Sequence, residues 1–205
     1  MNFDNSDITG IVLAGGQSRR MGFNKAEAKM HGESMLIRMI DKIKKVTPTI
    51  AVSIGAVPYP NILYTQISDE YPQCGPIGGI YSVLKASKTS FNLVVSCDIP
   101  LVSESLLKYI VKTATENSSI ITVPIDDEGQ IQMMCAVYRK EVLPFLEKQI
   151  NAHAFKMKDL LDLVSVKYIE ITRKHPLYVE HAFMNVNNPS TLEEARNLWN
   201  NQKEQ

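Results

Sequence analysis

The sequence predicts an α/β fold in three layers, a mainly parallel sheet covered by helices on both faces. Two observations carry this expectation. Short apolar runs alternate with amphipathic stretches of helical period from residue 8 to residue 199, and strands that alternate with helices are joined by crossovers that leave them parallel. No repeat, low-complexity segment or linker interrupts the alternation, and 205 residues suffice for one substantial core. A single domain over residues 1–205 is therefore expected.

The elements follow in order. Residues 8–13 read as a short buried strand that breaks into a glycine-rich, basic loop ending at Lys25. An amphipathic helix is predicted over 34–46, then strands over 49–54 and, briefly, 62–65. Residues 77–86 read as a helix preceded by Pro76, which suits a first turn because its missing N–H would have no partner there. Residues 91–97 form a strongly apolar strand, and 103–116 a helix opened by the capping hydroxyl of Ser103. Strands over 120–123 and 133–138 are separated by the turn Asp126-Asp127-Glu128-Gly129. Helices over 141–150 and 156–163, a strand over 166–171 and a last helix over 191–199 complete the chain. On that last helix Leu192, Ala195, Leu198 and Trp199 fall at helical spacing, a face that covers this chain's own sheet or a partner's surface.

Composition narrows the function classes. Lys and Arg number 22, as do Asp and Glu, so the formal net charge is zero. No global field draws such a chain to nucleic acid or to an anionic membrane, and any phosphate affinity must be local. Arg19, Arg20, Lys25 and Lys29 supply that local charge. The polar, acidic N-terminus lacks the regions of a secretory signal, and no apolar run approaches the ~20 residues of a membrane span. A cytoplasmic chain with neither nucleic-acid nor membrane partners is expected. Cys74, Cys97 and Cys135 are odd in number and widely spaced, which predicts reduced, mostly buried thiols. His31, His153, His175 and His181 show no metal-ligand spacing.

In open α/β sheets ligands gather beyond the carboxyl ends of the strands. The loop over residues 14–25 leaves one such end, offering backbone N–H groups beside cations, which suits a run of phosphates. It matches neither G-x-G-x-x-G nor G-x-x-x-x-G-K-[ST], and a plain surface turn with solvated arginines is the alternative. Ser96-Cys97-Asp98-Ile99-Pro100 leaves a second strand end. Asp98, fixed by the downstream proline, is placed to hold Mg²⁺, which takes one or two carboxylates plus phosphate oxygens. Its alternative role, capping the helix over 103–116, competes with Ser103. Asp69 and Cys74-Gly75-Pro76-Ile77-Gly78-Gly79-Ile80 form a third cluster. Gly78 and Gly79 cost stability inside a helix unless something approaches the backbone closely, either a nucleotide base or ribose or the sheet itself.

Together these segments carry a resemblance. Leu13-Ala14-Gly15-Gly16-Gln17-Ser18-Arg19-Arg20-Met21-Gly22 with Lys25, then Asp69, Gly75-Pro76-Ile77-Gly78-Gly79-Ile80, Cys97-Asp98-Ile99-Pro100 and Asn185-Val186-Asn187-Asn188-Pro189 resemble the molybdenum cofactor guanylyltransferases, in order over nearly the whole chain. The glycine-rich loop alone is common to a wider set of nucleotidyltransferases. The Ala-Gly-Gly form of that loop and the Asn-Val-Asn-x-Pro run favour the molybdopterin branch, and GTP over CTP.

The resemblance implies a Rossmann-like nucleotidyltransferase fold and transfer of GMP from GTP to the terminal phosphate of molybdenum-bound molybdopterin, with pyrophosphate released and Mg²⁺ as cofactor. It implies that the backbone of Leu13, Ala14 and Gly15 lies against the nucleotide, and that Lys25, supported by Arg20, stabilises the triphosphate. Asp98 would hold the metal, Asp69 would lie on the nucleotide side of the cleft, and Asn185 and Asn187 would face the pterin or the reacting phosphates. Transient contacts with proteins that make molybdopterin or accept the finished cofactor are implied too. The chain departs from the family at Ser53, where an asparagine is frequent, and at Gln132-Met133-Met134, which lacks a usual proline. It departs again at His153 and Lys156, in a region that tends to hold an arginine. Two other readings stay open: a nucleotidyltransferase using CTP or another acceptor, and a non-catalytic nucleotide-binding protein of the same fold.

Overall fold

A computed structural model describes residues 7–15 and 24–203, with side chains described as far as residue 200. In chain order the strands are β1 (Ile8–Leu13), β2 (Lys29–Met30), β3 (Glu33–Ser34), β4 (Thr49–Ile54), β5 (Thr65–Ser68), β6 (Phe91–Ser96), β7 (Ile121–Asp126), β8 (Cys135–Arg139) and β9 (Val166–Ile171). The helices are α1 (Met35–Lys44), α2 (Pro76–Ala86), α3 (Glu104–Thr115), α4 (Leu143–Asn151) and α5 (Pro189–Lys203). Seven strands form one sheet in the order β5-β4-β1-β6-β8-β7-β9, while β2 and β3 make a small hairpin.

β1 lies between β4 and β6 and is parallel to both, with Leu13 opposite Ser53 on one side and Ser96 on the other. β8 runs against its neighbours β6 and β7, so β7 and β9 point the same way as β1. The carboxyl ends of β1, β4, β5, β6, β7 and β9 therefore share one edge of the sheet. The fold is the α/β, mainly parallel arrangement that the sequence predicts.

Alternation along β1 sends Ile8 and Val12 into one core and Ile11 into the other. The first core is closed by α1 and α3 through Leu36, Met39, Ile43, Leu106 and Ile110, and the second by α2 and α4 through Ile77, Ile80, Leu84 and Leu146. Ser103 Oγ accepts from Leu106 N–H and caps α3, as the sequence predicts, and Ser34 Oγ accepts from Ile37 N–H and caps α1 in the same way. The C-terminal helix settles on this chain rather than on the sheet. Leu192 and Ala195, with Leu198 and Trp199 beside them, pack on Met30, Met35, Leu101 and Val186 in a third cluster.

Two buried cations fasten that cluster. Arg38 donates to the Met30 carbonyl at 2.7 Å and its guanidinium lies 4.5 Å from the Trp199 ring centre. Lys42 donates to the carbonyls of Pro100 and Val102, both at 2.6 Å, and lies 5.1 Å from the same ring. The loop that follows β6 is thus tied to α1 and α5 by one ammonium.

Several boundaries differ from the sequence reading. The strand expected over 62–65 begins at Thr65 instead, and Leu63 is 97% exposed. The Gln66 side chain holds the carbonyls of Tyr59 and Ile62, which curls the preceding residues away from the sheet. The helix expected over 156–163 is a tight 3-10 segment, Met157–Asp162, burying only Leu160. The hairpin of β2 and β3 has strands too short to show any period.

Two outcomes follow from this packing. A Cβ at Gly10 would fall 2.1 Å from Ile43 Cγ2 and 2.8 Å from Thr47 Cγ2. Neither branched side chain can swing away, so Gly10→Ala is expected to cost about 1–3 kcal/mol in chemical denaturation, the usual cost of overpacking. Burial, with repulsion from Arg38, lowers the Lys42 ammonium from 10.5 to about 8. Between those values the unfolded chain keeps a proton that the folded chain has lost, so the contribution of Lys42 to stability rises with pH across that window. Unfolding free energies measured from pH 7 to pH 10 are expected to show wild type gaining on Lys42→Met as pH rises.

Candidate active site

At the shared edge, hydrogen bonds continue past the strand ends. Ala14 N–H donates to the Ser53 carbonyl at 2.8 Å, and Cys97 N–H to the Leu13 carbonyl at 3.1 Å. These bonds fix the backbone of Leu13 and Ala14 beside the start of the Asp98 loop. Gly15 lies against the next strand's exit, where a Cβ would meet Gly55 N and Ile54 C, both at 3.0 Å. Ala14 and Gly15 thus lie beside the exits of β4 and β6. Arg20 lies outside the described residues.

Lys25 opens a 3-10 turn, Lys25–Glu27, that is anchored by the buried Ala26 and capped by Asn24 Oδ1, which accepts from Ala26 N–H at 3.1 Å. From that fixed base the Lys25 ammonium donates to Asp98 Oδ2 and to Asn187 Oδ1, each at 2.5 Å. Asp98 is not the cap of α3, a position that Ser103 holds.

The asparagine-rich segment explains itself residue by residue. Val186, fully buried in the third cluster, donates its N–H to the Asp98 carbonyl at 2.8 Å. Asn188 Oδ1 accepts from Thr191 N–H at 2.9 Å and so caps the start of α5, where Pro189 needs no partner. Asn185 and Asn187, on either side of the buried valine, are exposed, and Asn187 reaches Lys25. Three segments far apart in sequence meet at one ammonium.

Asp98 Oδ1 is buried and has no hydrogen-bond partner among the described residues. A buried carboxylate oxygen without a partner is costly, and a cation removes that cost. Asp69, at the carboxyl end of β5, repeats the pattern: its Oδ1 is buried without a partner among the described residues. Burial pushes the Asp69 carboxyl above its ordinary range, against a smaller opposing effect of the Ser53 hydroxyl. The first turn of α2 presses on this pair, since a Cβ at Gly79 would stand 3.1 Å from Ser53 Oγ and 3.3 Å from Asp69 Oδ1. At Gly78 a Cβ would come within 2.5 Å of the Tyr71 carbonyl oxygen. Both glycines are accounted for by close approach of the chain to itself.

No group of three His, Cys, Asp or Glu side chains gathers among the described residues. Cys97, beside Asp98, is held up at about 12 by burial and then by the neighbouring carboxylate, so it is not a thiolate nucleophile near neutral pH. All three cysteines are free and buried, as their spacing predicts.

On the β7 and β9 side of the edge, Gln132-Met133-Met134 is held without a proline. Gln132 Nε2 donates to Asp126 Oδ2 at 2.7 Å, Tyr138 Oη donates to the Met133 carbonyl at 2.7 Å, and the Met134 carbonyl accepts from Ser96 N–H at 2.8 Å. A cleft of about 270 Å³ opens nearby, lined by Asp126, Asp127, Arg173, Tyr178, Glu180 and His181 among others. His153 and Lys156 serve local ends, the first stacked edge-on to Phe155 and the second 3.6 Å from Asp159.

The sequence reading overlooked Tyr59. Its hydroxyl lies 2.8 Å from the Ala14 carbonyl oxygen and 3.1 Å from Asn24 Nδ2. A tyrosine between two prolines in a surface connection gives no pattern that would reveal this.

The family model of the MobA-like NTP transferase domain matches residues 10–168. A probable molybdenum cofactor guanylyltransferase of Pelotomaculum thermopropionicum is 34% identical over 198 residues, covering 95% of each chain. One of Flavobacterium johnsoniae is 33% identical over 164 residues, 80% of this chain and 85% of the relative. Among solved structures, molybdopterin-guanine dinucleotide biosynthesis protein A of Archaeoglobus fulgidus superposes with a TM-score of 0.80 at 21% identity, covering 94% of this chain and 99% of that one. The chain belongs to the MobA-like NTP transferase family.

Proposed function

We propose that this chain transfers GMP from GTP to the terminal phosphate of molybdenum-bound molybdopterin, forming the guanine dinucleotide cofactor and releasing pyrophosphate. One observation supports it above the rest. Lys25, Asp98 and Asn187 converge at the carboxyl ends of β1 and β6, a cation and a carboxylate at the strand edge where α/β sheets take nucleotides.

The backbone of Leu13, Ala14 and Gly15 bounds the nucleotide, with Asp69 and Ser53 on the same side. An acceptor phosphate oxygen attacks the α-phosphorus of GTP; a new P–O bond forms as the bond to the β-phosphate bridge breaks, and pyrophosphate leaves. The acceptor phosphate is already ionised near neutral pH, so no side chain need act as a base. Lys25, with Arg20 in support, leaves its carboxylate and amide partners for the triphosphate and stabilises charge that grows in the transition state. Asn185 and Asn187 orient the acceptor, and such positioning accounts for a large part of the rate of an in-line transfer.

The buried, unpartnered Oδ1 of Asp98 fits a Mg²⁺ ligand. When bound, Mg²⁺ would neutralise phosphate charge. No helix among the described residues is long and apolar enough to cross a membrane. We place the reaction in the cytoplasm, with transient docking of the proteins that supply molybdopterin or accept the product.

Pyrophosphate release measured with Mg²⁺ and molybdenum-bound molybdopterin, comparing GTP, CTP and ATP, tests the proposal. Release with GTP alone is expected. Release with CTP would reassign the base, and GTP binding without release in the presence of the pterin would contradict the transfer.

A further inference from the structure

Tyr59 stands outside the residues assigned above, yet its hydroxyl touches both sides of the nucleotide loop. The phenol has one proton to donate and can accept another. Asn24 Oδ1 already accepts from Ala26 N–H at 3.1 Å, which leaves Asn24 Nδ2 to donate to Tyr59 Oη at 3.1 Å. The single phenol proton then goes to the Ala14 carbonyl at 2.8 Å. One hydroxyl therefore joins the last buried residue after β1 to the residue that precedes Lys25.

The tyrosine is itself held firmly. Gln66, paired with Val52 within the sheet, accepts from Tyr59 N–H at 2.7 Å through Oε1 and donates to the Tyr59 carbonyl at 3.0 Å through Nε2. The same Nε2 donates to the Ile62 carbonyl at 3.1 Å. Pro58 and Pro60 restrict the backbone on both sides. Tyr59 is buried at 9% exposure, and burial pushes its phenol above the ordinary value, so the proton it donates stays in place at neutral pH.

We infer that Tyr59, braced by Gln66, is a positioning residue that sets the distance between the nucleotide-facing backbone of β1 and the Lys25 ammonium. Fixing both ends of a loop before the ligand arrives removes part of the ordering cost of binding. The effect reaches the phosphates through Ala14 and Lys25, since Tyr59 itself need not touch them. The inference rests on the guanylyltransferase reading for its choice of ligand.

The test compares Mg²⁺–GTP affinity, by calorimetry, with thermal stability in wild type, Tyr59→Phe, Gln66→Leu and Thr47→Val. Thr47 is the control: its hydroxyl donates to the Ile8 carbonyl at 2.6 Å, at the opposite end of β1. Removing a buried hydrogen bond lowers the melting temperature in every variant. Tyr59→Phe is expected to weaken GTP binding about tenfold, from the two hydrogen bonds lost. Gln66→Leu should act in the same direction, and the double variant should fall short of the product of the singles because both residues act as one unit. Thr47→Val should bind GTP as wild type does. Equal affinities for wild type and Tyr59→Phe, or an equal loss in Thr47→Val, would overturn the inference while leaving the guanylyltransferase reading intact. A wild type that binds no GTP would overturn both.

Discussion

The parallel register of β4, β1 and β6 is the constraint on which the rest depends. Because Leu13 stands opposite both Ser53 and Ser96, the three strands end together and their exits leave from one line. Ala14, the Ser53 side chain and the Asp98 loop become neighbours by this pairing alone, before any polar side chain makes a contact. Chain crossovers hold the helices on the two faces, and the first turn of α2 reaches that edge at Ser53 and Asp69.

The edge is then completed from both ends of the chain. Lys25 comes from the turn after the glycine-rich loop and bonds to Asp98, and Asn187 comes from the segment before α5 and bonds to Lys25; each stands on a buried mounting. For Lys25 the mounting is a capped turn on buried Ala26; for Asn187 it is buried Val186, bonded to the Asp98 carbonyl. Lys42 adds a hold on Pro100 and Val102 just beyond Asp98. The charge pairing is local, as the zero net charge of the chain requires. Asp98 presents one oxygen to Lys25 and keeps the other buried without a partner among the described residues, so the site is neutralised in part and still suited to a second cation.

Much of this was legible in the residues. Periodicity located the sheet and its helices because burial on one or two faces leaves a repeating pattern, and Ser103 marked a helix start because a cap needs a side-chain acceptor. Asp98 was readable as a candidate Mg²⁺ ligand because it follows a strand end, and Lys25 as a candidate phosphate partner because it ends the glycine-rich loop; that the two side chains meet was not readable. What was not legible depends on single hydrogen bonds across long separations. Nothing in the sequence joins Tyr59 to Ala14, or makes Gln66 curl residues 59–62 out of the sheet, because one side-chain bond leaves no period. The roles of Gly78 and Gly79 were open between ligand and packing, and their contacts with Tyr71, Ser53 and Asp69 supply the packing reason. The face of α5 was equally ambiguous, because apolar spacing tells that a surface is covered and not by what.

The most direct test of the central claim, that Asp98 beside Lys25 marks the reacting phosphates, is the binding of Mn²⁺ with GTP followed by electron paramagnetic resonance in wild type and Asp98→Asn. A GTP-dependent Mn²⁺ signal is expected in wild type and is lost in a folded Asp98→Asn protein. Equal Mn²⁺ binding in the two proteins would contradict it.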